Sequence, residues 1–184
     1  LISVACTLGY YWAGMTWLDA IMHMFSTMGL GGFSSHDASF GFFDSPAIEA
    51  VSILFMLLAG INFATHYIAI TGRSFRPYRS DPEAGWFLLV CVLSVVGIAI
   101  FLDAHAVYPD FLTALRFSAF NVVSIATTTG YANTDYGLWP MFAPLWMLFL
   151  SSFATSAGST GGGIKMIRAI VLYKQVYREL IRAM

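Results

Sequence analysis

Charge is scarce in this sequence. Only 10% of its 184 residues are Asp, Glu, Lys or Arg, against about 25% in an average soluble domain. With 58% hydrophobic residues and a mean hydropathy of +0.72, an ordinary soluble domain is excluded and an integral membrane protein is the expectation. Cysteine is also rare. Cys6 and Cys91 lie far apart in apolar segments without metal-type neighbours, which excludes a disulfide framework or zinc site and leaves two small buried hydrophobes. The formal net charge is −1, and neither a nucleic-acid partner nor a covalently bound cofactor is expected. The opening "LISVACTLGYYW" lacks an initiator methionine, a basic n-region and a small-residue cleavage site, so it is not a signal peptide. It reads as the tail of a spanning helix, and "YRELIRAM" stops mid-helix at the other end. The sequence is therefore expected to be a piece of a longer chain.

What the sequence does contain is apolar length. About 20 apolar residues span a bilayer as a helix, and four stretches qualify as spans. The first is the truncated Leu1 to Trp12. The second follows "FFDSP", where Asp44 or Ser45 can cap, Pro46 takes the first helical position and Glu49 suits the first turn. It runs through "AVSILFMLLAGINFATHYIAI" to about Thr71. The third starts from the similar "RSDPEAG" and covers Trp86 to Leu102; the fourth begins near Leu138 and stays uncharged until Lys165. Between them, "MTWLDAIMHMFSTM" and "YPDFLTALRFSAFNVVSIA" are too short or too interrupted to span, and are expected to be re-entrant helices.

The basic residues set the orientation. Arg73, Arg76 and Arg79 follow the second span, Lys165, Arg168, Lys174, Arg178 and Arg182 follow the fourth, and of the nine only Arg116 lies elsewhere. Loops on the other side carry Asp37, Asp44, Asp103, Asp110 and Asp135, aspartates whose field would concentrate cations. Short cytoplasmic loops are enriched in Lys and Arg, so the basic ends are expected to be cytoplasmic. Trp and Tyr residues such as Tyr10, Tyr11, Trp12, Tyr108 and Trp139 sit near span ends as an interfacial belt.

The organisation is a repeat: span, short helix, polar loop, span, and then the same again. Residues 1–75 form one unit, 76–84 a basic linker and 85–184 the second unit. Laying Gly29 on Gly130 puts "FSTMGLGG" on "ATTTGYAN". Each short helix thus ends in a threonine–glycine loop. A loop at membrane depth leaves backbone carbonyls without helical partners, at a cost of several kcal/mol per group unless it lines a water-filled path. Carbonyls turned toward an axis replace the water shell of a dehydrated cation. Glycine permits the backbone needed for this, and the helix dipole adds negative potential. The K⁺-channel filter sequence TVGYG can be laid on "TMGLG", Thr27 to Gly31, and on "TTGYA", Thr128 to Ala132, although the last glycine fails in the second. For either match alone, a Thr/Gly turn between helices is the plain alternative.

With these motifs the chain resembles the Trk/Ktr/HKT superfamily of K⁺ and Na⁺ transporters, most closely the bacterial TrkH-type subunits. The resemblance covers nearly the whole chain, with "FSTMGLGGFSS" similar to the family's second filter loop and "IATTTGYA" to its third. It implies an all-α membrane fold of four span, pore-helix, span repeats, of which the first and fourth are missing here. It also implies K⁺ as the transported ion at Thr27, Met28, Gly29, Leu30, Gly31, Thr128, Thr129, Gly130, Tyr131 and Ala132. A homodimer, a ring-forming cytosolic nucleotide-binding regulatory subunit and the bacterial inner membrane are implied in the same way. A filter serine in place of glycine goes with Na⁺ permeation in the family. Both visible positions are glycine, which favours K⁺, but the absent loops leave Na⁺ permeation open, as they do passive against ion-coupled (symport) transport.

A third element, "SSFATSAGSTGGGIKMIR", interrupts the last span. It is not a phosphate-binding P-loop, because Ile164 separates Gly163 from Lys165 and Met166 follows. It reads as a broken helix whose freed backbone lines a cavity, or as a tight kink packed through glycine. In the family, "GSTGGGIK" is similar to an intramembrane gate beneath the filter. The resemblance makes Ala157, Gly158, Ser159, Thr160, Gly161, Gly162 and Gly163 the gate, with Lys165 beginning the cytoplasmic half-helix.

Several other residues carry chemistry. His23, His36, His66 and His105 lack metal-ligand spacing and read as packing or interfacial groups. Arg116 is a costly charge in an apolar helix that needs a partner, Asp110 or Asp19, or else snorkels. The basic, amphipathic tail "LYKQVYRELIRAM" suits an anionic leaflet or a cytosolic partner. The competing functional class is a membrane-embedded enzyme acting on a lipid or peptide. It requires clustered acid–base groups at membrane depth, and no His–carboxylate pair at helical spacing or serine-nucleophile arrangement is visible.

Overall fold

The computed structural model describes residues 1–183. Among the described residues it is helical throughout, with no strand: α1 (Ile2–Trp12), α2 (Trp17–Met28), α3 (Pro46–Gly60), α4 (Phe63–Thr71), α5 (Arg76–Ser80), α6 (Pro82–Ala104), α7 (Phe111–Ala126), α8 (Phe142–Ser151) and α9 (Met166–Ala183). The order helix, helix ending in a loop, broken helix occurs twice, as α1–α4 and as α6–α9. Each half has its own apolar core. One gathers Cys6, Tyr10, Phe40, Phe55 and Met56. The other gathers Phe87, Ile98, Leu102, Met147 and Leu150. The halves interlock because Phe120 and Val123 of α7, together with Tyr131, belong to the first core.

Local sequence explains the helix starts. Asp81 accepts from the Glu83 and Ala84 amides at 3.0 and 3.3 Å, and Pro82 fills the first position of α6, where no amide hydrogen is needed. Thr16 caps α2 and Asp110 caps α7 in the same way. The Thr113 amide bonded to the exposed Asp110 holds that carboxyl below the usual carboxylate range. The 23 residues of α6 rise about 35 Å, enough for a hydrocarbon layer of about 30 Å. Its outward Leu89, Val92, Leu93 and Ile100 are exposed apolar side chains, the expected surface toward lipid.

Three sequence expectations change. The second span is not one helix: α3 and α4 meet at 97°. Ile61 is extended, and the Asn62 side chain caps α4 by accepting from the Ala64 amide at 2.9 Å. The fourth helix starts at Phe142 rather than near Leu138, because Tyr136–Leu138 forms a 3-10 turn and Pro140 follows. Ser45 precedes α3 without a side-chain capping bond, and Asp44 is used elsewhere.

Candidate functional site

The two threonine–glycine loops leave their helices in the same way. After α2, the amides of Gly29, Leu30 and Gly31 bond to the carbonyls of Phe25, Thr27 and Ser26; after α7, those of Thr127, Thr128 and Thr129 bond to Val123, Ile125 and Ser124. The backbone then turns through positive φ at Leu30 (49°) and Gly32 (70°), and at Thr128 (61°) and Gly130 (90°). Position by position, Gly32 is the counterpart of Gly130. The superposition expected from residue identity, Gly29 on Gly130, is therefore corrected. Gly29 is the C-cap of α2 with ordinary right-handed φ of −83°, because the helix end and not the Thr-x-Gly spelling sets where the turn begins.

The loops touch. A Cβ built on Gly32 would lie 2.1 Å from the Thr129 carbonyl oxygen, so only glycine permits the approach; at Gly130 the corresponding Cβ meets nothing within 4 Å. Tyr131, fully buried, crosses from the second loop to the first, its hydroxyl 3.2 Å from Thr27 Oγ1 and donating to the His23 carbonyl at 3.3 Å. Thr27 Oγ1 is also 2.6 Å from the Tyr10 hydroxyl. Thr27 thus presents its hydroxyl to two tyrosines of the protein. Among the described residues, no donor reaches the carbonyls of Gly29, Leu30, Gly31 and Gly32, or of Thr127, Thr128, Thr129 and Gly130. Tyr131 and Ala132 differ: their carbonyls accept from Ser124 Oγ (2.7 Å) and the Gly41 amide (3.3 Å).

The glycine-rich loop, residues 152–165, joins both. Thr160 Oγ1 donates to the Met28 carbonyl at 3.0 Å, and the Gly162 amide donates to Thr128 Oγ1 at 2.7 Å. Lys165 immediately precedes α9 with φ of 74°. Its ammonium folds back onto the Gly161 carbonyl and lies 3.3 Å from Ser159 Oγ. Ala157, Gly158 and Ser159 bond elsewhere, the Gly158 carbonyl accepting from the Phe63 amide at 3.2 Å, and Gly163 completes the loop at φ of 83°.

This helical scaffold can be set beside known proteins. The profile of the TrkH family, described as "Cation transport protein", matches residues 1–183. The chain belongs to the TrkH family. It is 44% identical over 182 residues to the Trk system potassium uptake protein TrkH of Salmonella typhimurium, covering 99% of this chain and 38% of that protein. It is 38% identical over 180 residues to the Trk system potassium uptake protein TrkG of Escherichia coli, with 98% and 37% covered. The crystal structure of the potassium transporter TrkH from Vibrio parahaemolyticus superposes with a TM-score of 0.95 at 41% identity, over 99% of this chain and 39% of that one. The chain thus spans under two-fifths of the length of these relatives, which are named transporters and not enzymes.

In this TrkH-family chain Arg116, the arginine of the apolar helix α7, has partners that sequence reasoning missed. Arg116 does not pair with Asp110 or Asp19. It donates to both oxygens of buried Glu49 at 2.8 Å each, and to Asp44 at 2.8 Å. The packing of α3 on α7 brings together residues 67 positions apart, a pairing that no local spacing signals. Asp19 instead accepts from Ser35 Oγ at 2.7 Å and faces His36 Nε2 at 3.3 Å. His23 is buried as a packing group: its Nδ1 donates to the Asp19 carbonyl at 2.8 Å and its Nε2 lies 2.9 Å from Ser34 Oγ, fastening the first loop to α2. His66 similarly donates to the Leu58 carbonyl and meets the Tyr78 hydroxyl.

Proposed function

We propose that this chain supplies two of the four pore loops of a K⁺ uptake protein, with the glycine-rich loop as its gate. One observation carries the reading: two loops with matching backbone geometry touch each other at Gly32 and Thr129, and a third loop bonds to both. Eight carbonyls without protein donors would be prohibitive in hydrocarbon. They become an asset where they replace the hydration of a cation, and α2 and α7 aim their negative ends there. The filter residues of the first loop are then Gly29 to Gly32, with Thr27 behind them. In the second they are Thr127 to Gly130, with Tyr131 as a brace.

A ring also accounts for the asymmetry between the glycines. Gly32 packs on the next loop, and the open side of Gly130 is where the following loop of a longer chain would pack. On this reading residues 1–75 and 85–184 are successive repeats joined by a cytoplasmic linker in the bacterial inner membrane. The homodimer and the nucleotide-binding regulatory ring are part of the same proposal and rest on the resemblance. The presence of glycine at both positions favours K⁺ over Na⁺. Rb⁺ uptake into K⁺-loaded liposomes holding the full-length parent tests it. Block by excess K⁺ but not by Na⁺ or Li⁺ is expected; no uptake with the regulatory partner and nucleotide supplied would reject the pore.

A further inference from the structure

We propose that Glu83, in the first turn of α6, is a latch that holds the glycine-rich loop in its blocking position; the inference rests on the pore reading above. Glu83 Oε2 accepts from the Ala157 amide at 2.7 Å, a contact between residues 74 positions apart that belongs to no helix and no filter loop. A carboxylate acceptor makes such a bond markedly stronger than a neutral one.

The rest of the first half of the loop is fastened at the same place. The Ser156 amide donates to the Gly60 carbonyl at 3.0 Å, and the Phe63 amide donates to the Gly158 carbonyl at 3.2 Å. Gly158 lies so close to Asn62 that a Cβ would be 2.7 Å from its Oδ1. The 97° break between α3 and α4 thus has a purpose: it frees the backbone groups of Gly60 and Phe63 to receive the loop. Two residues beyond Gly158, Thr160 reaches the Met28 carbonyl, and Gly162 reaches Thr128. Release of residues 156–158 is therefore transmitted to the filter loops within one turn of chain. Glu83 is in turn held by the cap residue Asp81, whose other oxygen accepts from Thr65 Oγ1 at 2.9 Å. The cytoplasmic linker and the loop share one hydrogen-bonded frame. Glu83 is a positioning residue: it acts on the path through the loop and not on the ion.

The test is Rb⁺ flux and the Rb⁺/Na⁺ permeability ratio of the full-length parent in liposomes. Glu83→Ala is expected to raise unstimulated flux about tenfold, the shift of a two-state equilibrium on losing one charged hydrogen bond, with the ratio unchanged. Glu83→Gln, which keeps an acceptor, should return most of the restraint. Gly158→Ala, which breaks the seat on Asn62 from the other side, should raise flux in the same direction. Parental flux in Glu83→Ala, or a changed ratio with parental flux, would overturn the latch. If Glu83→Ala does not fold, parental flux in Gly158→Ala overturns it equally. Gly130→Ser separates the two claims: an unchanged ratio there defeats the filter reading, whatever Glu83 does.

Discussion

Gly32→Ala is the substitution for which the structure sets the plainest magnitude. The added methyl carbon would sit 2.1 Å from the Thr129 oxygen and 3.1 Å from its carbonyl carbon. Both are backbone atoms of the neighbouring loop, so no side chain can swing aside. Overpacking of this kind costs about 1–3 kcal/mol, and holding a non-glycine residue at φ of 70° adds about 1–3 kcal/mol. The loss is therefore about 2–6 kcal/mol, unless the loops part. The comparison is Gly97→Ala in α6, whose Cβ meets nothing within 4 Å and which should gain about 0.5–1 kcal/mol as a helix-interior glycine is replaced. Thermal unfolding of the full-length parent in detergent, with and without saturating K⁺, reads both. Gly32→Ala should lower the midpoint strongly and lose most of the K⁺-dependent protection, while Gly97→Ala keeps that protection. A Gly32→Ala protein that melts and responds to K⁺ like Gly97→Ala would show that the loops are not packed as described.

Two further outcomes follow from the cross-connections. Arg116→Met strands the Glu49 carboxylate, only 2% exposed, and should cost about 3–5 kcal/mol. Asp44→Asn, at the exposed end of the same triad, should cost about 0–1 kcal/mol; equal effects in detergent unfolding would contradict the clamp. Tyr131→Phe loses the hydroxyl contacts to Thr27 and His23 and should cost about 0.5–1.5 kcal/mol with permeation intact. Tyr131→Ala empties a fully buried site, should cost about 3–5 kcal/mol, and should also disturb Rb⁺ permeation, so intact permeation there would remove its role as a brace.

Much of this arrangement is legible in the sequence, where local chemistry decides. Asp81 with Pro82 marks the start of α6, and Met15–Met28 and Tyr108–Ala126 read as short helices ending in threonine–glycine loops. The register between the loops was not legible from the Thr-x-Gly match, because Leu30 and Thr128 take positive φ without being glycine. The pairs Gly32–Phe33 and Gly130–Tyr131, glycine followed by an aromatic, were the available signal. The break after Gly60 hides inside an unbroken apolar run, and only the capping residue Asn62 betrays it. The partners of Arg116 and Glu83 were beyond reach, since both contacts depend on which helices pack together and not on any spacing along the chain.

The central claim, that Gly32 and Gly130 are equivalent filter positions, is tested most directly by the K⁺/Na⁺ permeability ratio of Gly32→Ser and Gly130→Ser in the full-length parent. The account predicts that both lower the ratio. Unchanged ratios in both well-folded variants would contradict it.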